Sequence, residues 1–258
     1  MPTPDPRPAV SVAMATFNGS AWVAEQLDSI LAQLRTDDEL VIIDDASTDD
    51  TVSVVRSVAD DRLRLLESPV NRGYVATFEA ALLACRHDLL LLADQDDVWP
   101  PGRVDALVAA LARTDVVAGN LALLGTGESL HSPFGAQGWE LRSDDSSRRV
   151  RNVAGVMAGM RPYFGCAMGI RRAALDTAVP FPPFLHESHD LWLALVGNVR
   201  GSMTHVEDVV VWRRLHETNT SPSRPRGVLP ALRSRWMLVR CLVEISARVR
   251  RRGVRLSG

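Results

Sequence analysis

Hydrophobic runs of two kinds alternate along the first half of the chain. "AVSVAMA" (9–15), "ELVIIDD" (39–45), "LRLLES" (63–68), "DLLLLAD" (88–94) and "DVVAGNLAL" (115–123) are short, largely apolar stretches of strand length. Between them, apolar residues recur at helical spacing. Trp22, Val23, Leu27, Ile30, Leu31 and Leu34 predict a helix over 20–34 with Ser20 as N-cap. Further helices are expected over 47–59, capped by Ser47 or Thr48, over 74–86, and over 101–113 with proline in the first turn. Apolar strands alternating with helices predict an α/β fold with a mostly parallel sheet covered on both faces.

In such a sheet, ligands bind beyond the carboxyl ends of the strands. The polar residues collect there: Thr16 and Asn18 after the first strand, Asp44 and Asp45 after the second, Asn71 after the third, and Asp94, Asp96 and Asp97 after the fourth. Residues 125–152 are polar and glycine-rich and read as a loop or lid. Order returns in 163–175, in a helical 186–197 and in a strand-like 203–216.

Composition narrows the possibilities. The chain has 258 residues, 46% hydrophobic, enough for one large domain or two small ones. All 29 basic residues are arginine, which reads as codon composition. Three cysteines without paired or metal-type spacing exclude a disulfide framework and fit a reducing compartment. The opening "MPTPDPRPAV" lacks the pattern of a secretory signal, and there is no run of about 18 apolar residues. The expected location is the cytoplasm, with the inner face of the plasma membrane as a peripheral site.

The net charge of −2 conceals an asymmetry: from Arg224 onward ten arginines face one acid, Glu244, leaving −11 on the first 223 residues and +9 on the tail. In 229–256, Leu232, Trp236, Val239, Leu242, Val243 and Val249 fall roughly on one helical face, with Arg233, Arg240, Arg248 and Arg251 elsewhere. Such a helix can lie on an anionic bilayer, or it can pack on the domain and turn its arginines to water. The acidic body argues against nucleic acid as a partner.

"LLLLADQDDVW" (89–99) sends a buried strand into carboxylates. Asp94 and Asp96, one residue apart, repel unless a cation lies between them, and oxygen ligands of this kind suit Mg²⁺ or Mn²⁺. A solvated acidic turn is the plainer reading, and Asp97 is expected to cap the next helix or orient its neighbours.

"VSVAMATFNGSAWVAEQLDSILAQ", "ELVIIDDASTDDT", "NRGYVATFEAAL" and "LLLLADQDDVW" stand in the order and spacing of the nucleotide-sugar domain of family 2 glycosyltransferases, which the chain resembles over roughly residues 9–220. "DQDDVW", "HDLWLAL" and "RLHETN" look most like the bacterial rhamnosyltransferase branch. The resemblance implies a GT-A fold, with a catalytic domain over 1–223, split into a nucleotide-sugar half (9–123) and an acceptor half (124–223), and a basic helical tail over 224–258. It implies donor contacts from Thr16, Phe17, Asn18, Asp45, Asn71, Gly73, Asp94 and Gln95, with Phe17 stacking on the base and Asp45 bonding it. Asp94, Asp96 and His216 would hold the metal, and Asp190 would be the general base, with Glu187 as its rival. Partners would be a nucleoside diphosphate sugar and a glycan or lipid-linked acceptor, for polysaccharide or cell-envelope synthesis. The chain departs from the family pattern at Arg214 and Leu215, before His216, and at Glu217, after it.

Two other classes compete. The stretch also fits the D-x-D-x-V pattern of haloacid-dehalogenase-like phosphatases, but their motif sits on the first strand and needs a later lysine, which this chain lacks. A glycan-binding or assembly protein that has lost turnover would have no physical reason to keep Asp94, Asp96, Asp190 and His216 together.

Overall fold

The computed structural model describes residues 7–132, 138–216 and 227–256. Seven strands form one sheet in the order β3-β2-β1-β4-β6-β5-β7. β1 (Val10–Thr16), β2 (Glu39–Asp44), β3 (Leu63–Glu67) and β4 (Leu89–Ala93) pair in parallel. Their carboxyl ends therefore share one edge, and the order reverses between β1 and β4, where a crevice opens. β5 (Val116–Leu123) and β7 (Met203–Arg213) pair in parallel, and the short β6 (Met168–Arg171) runs antiparallel between β4 and β5.

The strands are apolar on both sides because both faces are covered. On one face, α1 (Val23–Leu31), α2 (Thr51–Ser57) and α4 (Arg103–Leu111) enclose a core that includes Val12, Met14, Leu27, Leu91 and Leu107. On the other, α3 (Tyr74–Ala84), α5 (Arg149–Ala158), α6 (Arg172–Ala178), α7 (His189–Arg200) and α8 (Val228–Leu256) surround Phe78, Leu90, Leu92, Trp192 and Leu195. The three cysteines are buried and free.

Several local expectations are corrected. Ser20 does not cap α1, which starts at Val23; its N–H instead donates to Asp49 Oδ2 at 3.1 Å. Ser47 and Thr48 do not cap α2, which starts at Thr51, because Ser47 turns back to Asp44. The segment 125–152 is not loop throughout: α5 begins inside it, at Arg149. Residues 133–137 of that loop, and Glu217 to Asn219 of "RLHETN", lie outside the described residues.

A guanidinium sits at the centre of the core. Arg103, 1% exposed, donates to the carbonyls of Leu92 (2.7 Å) and Val210 (2.8 Å) and lies 4.0 Å over the Trp99 ring. Burial pushes it down to about 9. It ties β4 to β7 beneath the rim. Arg103→Leu should strand both carbonyls and cost about 3 kcal/mol. Urea unfolding measures this, and an unchanged midpoint would refute the tie.

Candidate active site

A cavity of about 680 Å³ opens at the strand ends. Every residue expected at the site lies on its wall: Thr16, Phe17, Asn18, Asp45, Asn71, Gly73, Asp94, Gln95, Asp96, Asp190 and His216. Glu187, the rival base, does not line it; its carboxylate instead accepts from Ser234 on α8. A second recess, about 780 Å³, lies at the opposite end of the sheet. There Asp38 pairs with Arg7, Asp60 with Arg62 and Glu39 with Arg86.

The polar residues of the first two strand ends mostly hold the rim together. Thr16 Oγ1 and Ser47 Oγ both donate to Asp44 Oδ2 (2.9 and 2.6 Å), so Asp44 closes the turn after β2. Asn18, in the left-handed region at φ 48°, accepts from the Thr48 N–H at 2.8 Å. Gln95 and Phe17 clamp each other: the Gln95 amide accepts from the Phe17 N–H and donates to its carbonyl, both at 2.9 Å. A Cβ at Gly19 would stand 2.3 Å from Gln95 Oε1 and displace that clamp. With its backbone held, the Phe17 ring stays exposed at the cavity mouth.

Asp45, 2% exposed, accepts from the N–H groups of Arg72 and Gly73, each at 2.8 Å. That pins the loop of Asn71 and Gly73 over the cavity. Gly73 adopts φ 82°, ψ 152°, a conformation that favours glycine, and turns the chain into α3.

The carboxylates after β4 divide in two ways. Asp94 Oδ, Asp97 Oδ and Cys166 Sγ come within 4.8 Å of one another, while His216 Nε2 meets Asp96 Oδ2 at 2.7 Å. Burial, then the neighbouring Asp96 and Asp97, push Asp94 well above the usual carboxylate range. Burial and Asp96 push Asp97 up to about 6, and it accepts bonds from Cys166 and from the Arg214 N–H (3.2 Å). Burial raises the Cys166 thiol, and a soft sulfur suits Mg²⁺ or Mn²⁺ less well than carboxylate oxygen. Asp97 does not cap α4, whose N-cap is Gly102; it holds the end of β7. Asp94, Asp96 and Asp97 thus crowd one stretch of the cavity wall, an arrangement that a divalent cation would relieve.

Several residues that position this group went unnoticed in the sequence. Gln26, fully buried on α1, donates to the Asp94 carbonyl at 2.8 Å. Val98 and Trp212 form a two-bond antiparallel bridge (3.0 and 2.9 Å), which brings the end of β7, and His216 with it, to the acidic loop. Trp22 stacks on His216 at 3.9 Å. Arg213 lines the cavity, and its charge lowers the pKa of Asp94, Asp97 and Asp190. Only the aromatic and basic residue types near the two motifs could have pointed to Trp22 and Arg213.

Asp190 stands in the first turn of α7, whose register is set by Trp192 and Leu193, both fully buried. Burial pushes its carboxyl up to about 6, against the Leu191 N–H (2.7 Å) and the charge of Arg213. The neighbouring His189 stacks on Phe78 at 4.3 Å, and burial pushes it down to about 3, so it is neutral. Asp190 thus lies on the same cavity as the acidic loop, close enough for its charge to raise Asp94.

A mostly parallel sheet with helices on both faces and an acidic turn at the switch point defines the GT-A class. The Glycosyl transferase family 2 model matches residues 11–176, and the chain belongs to that family. This decides against the phosphatase reading. EpsE of Bacillus subtilis, assigned to the glycosyltransferases, is 29% identical over 72% of this chain and 66% of its own length. The Escherichia coli glucosyltransferase WfgD, named for UDP-Glc and GlcNAc-diphosphoundecaprenol, is 22% identical over 91% and 87%. The chain thus spans about two thirds of EpsE, and it spans 54% of a Nostoc glycosyltransferase. Among solved structures, S. aureus TarS with UDP-GlcNAc superposes with TM-score 0.67 at 19% identity, over 93% of this chain and 72% of TarS. A Pyrobaculum calidifontis mannosyltransferase with GDP-Man and Mn²⁺ gives 0.59 at 21%, over 98% and 77%.

Proposed function

We propose that the chain is an inverting, metal-dependent glycosyltransferase that moves a sugar from a nucleoside diphosphate onto a glycan or lipid-linked acceptor. The observation that carries this reading is the placement of Asp94, Asp96 and Asp190 on the wall of one cavity. Residues 9–123 would bind the nucleotide sugar and 124–223 the acceptor.

Phe17 offers a ring for the base, and Asn71 and Gly73 sit on the loop pinned by Asp45. Asp94 and Asp96, with His216 beside them, would hold Mg²⁺ or Mn²⁺. When bound, the cation neutralises the charge that grows on the departing diphosphate. Arg213 adds a fixed positive charge on the same wall. Asp190 takes the proton of the acceptor hydroxyl as it attacks the anomeric carbon from the face opposite the diphosphate. One displacement of this kind inverts the carbon.

The motifs "DQDDVW" and "HDLWLAL" support rhamnose as the sugar, and WfgD and TarS keep glucose and N-acetylglucosamine in view as others. Incubation with dTDP-rhamnose, UDP-sugars and GDP-sugars plus Mn²⁺ should release nucleoside diphosphate from one of them, with dTDP-rhamnose expected first. EDTA should abolish release and Mn²⁺ restore it. No release from any donor, or turnover untouched by EDTA, would contradict the reading.

A further inference from the structure

Helix α8 carries two apolar faces. Met237, Leu238, Cys241 and Ile245 are buried against the domain, and Leu242 and Val249 pack beside them. On the opposite side of the 3.6-residue period, Leu229, Leu232, Trp236, Val239 and Val243 are exposed, Trp236 at 66% and Val243 at 65%. The stripe expected from sequence thus loses Leu242 and Val249 to the core and gains Leu229.

The exposed residues step by three and four, a spacing that another helix would also suit. Charge decides between the two occupants. Arg233 borders the stripe and Arg250, seven residues after Val243, continues it, both exposed, so a second copy would set arginine against arginine. From Arg224 onward, ten arginines face Glu244 alone. A tryptophan within an apolar stripe bordered by arginine matches the boundary between acyl chains and anionic headgroups. Among the described residues, no helix is long and apolar enough to cross a membrane.

We propose that the outer face of α8 docks flat on an anionic phospholipid bilayer. On the inner face of α8, Ser234 donates to Glu187, three residues before Asp190. Docking brings that contact to within about one helix diameter, roughly 10 Å, of the headgroups. Delivery of a lipid-linked acceptor there rests on the transferase reading; the docking does not.

Removing 228–258 would also bare the buried face of the domain, so point changes are the cleaner test. The full chain should sediment with vesicles of phosphatidylcholine and phosphatidylglycerol but not of phosphatidylcholine alone, and added salt should weaken it. Trp236→Ser with Val243→Ser, and separately Arg233→Glu with Arg250→Glu, should each bind about tenfold or more weaker. Donor hydrolysis in solution should be unchanged in the serine pair. The proposal is overturned if the wild type stays in the supernatant, if both variants bind like it, or if light scattering finds a dimer that Trp236→Ser dissolves. A chain that binds vesicles but turns over no donor would count against the transferase reading alone.

Discussion

Asp190→Asn is expected to lower kcat by about 10²–10⁴-fold, the usual contribution of a placed base, while leaving donor affinity within about twofold. The amide keeps the shape of the side chain and cannot take a proton. In the wild type, burial holds the carboxyl at about 6, above the ordinary 3.8, so kcat/KM should rise as pH rises through about 6 and the base ionises. The same shift gives a second signature. A carboxyl whose folded pKa is raised makes its ionised form costly to bury, so the wild type loses stability between pH 4 and 6. At pH 8, Asp190→Asn should be more stable by up to about 3 kcal/mol, and the gain should vanish below about pH 4. A variant that loses donor binding, or that gains no stability at pH 8, would mean the base is misassigned.

Asp94→Asn and Asp96→Asn should fail differently. Each removes a charge on which the cation depends, and several kcal/mol of stabilisation of the leaving group corresponds to about 10³-fold or more in turnover. Mn²⁺ affinity and donor affinity should fall together. For Asp94→Asn, a more stable apo chain is also expected, because its ionised form is costly to bury next to Asp96 and Asp97. Asp97→Asn should instead loosen the Arg214 contact and leave the Mn²⁺ requirement in place. Calorimetric Mn²⁺ titrations separate the cases. A metal affinity that follows Asp97 and ignores Asp96 would move the ligand set to the pair near Cys166.

The apolar runs made the architecture legible because strands covered on both faces have no polar side to obscure them. Thus β1, β2 and β4 agree with their sequence ranges to within a residue or two. Segments with weak apolar contrast were not legible. α5 buries only Asn152 and Val156 and opens with arginines, so its residues resembled a loop. Placing β6 between β4 and β5 needs tertiary pairing that no local period encodes. At the site, strand ends announce themselves through polar residues following apolar ones, and all of those singled out line the cavity except Asp44, which closes the turn after β2. Their individual duties were harder to read, since Thr16, Asn18 and Gln95 bond neighbouring loops and Asp97 holds β7. A carboxylate written in a sequence carries no record of whether a ligand or a backbone N–H will face it. Gln26 and Arg103, buried polar groups inside helices, gave no signal because helical periodicity treats them as surface.

Calorimetric titration of the full chain with UDP, GDP and dTDP, each with and without Mn²⁺, reads the metal-dependent donor site directly. At least one should bind, about tenfold or more tightly with Mn²⁺, and Asp96→Asn should abolish the difference while Asp190→Asn keeps it. Binding that ignores Mn²⁺, or no binding by any of the three, would contradict a metal-dependent donor site.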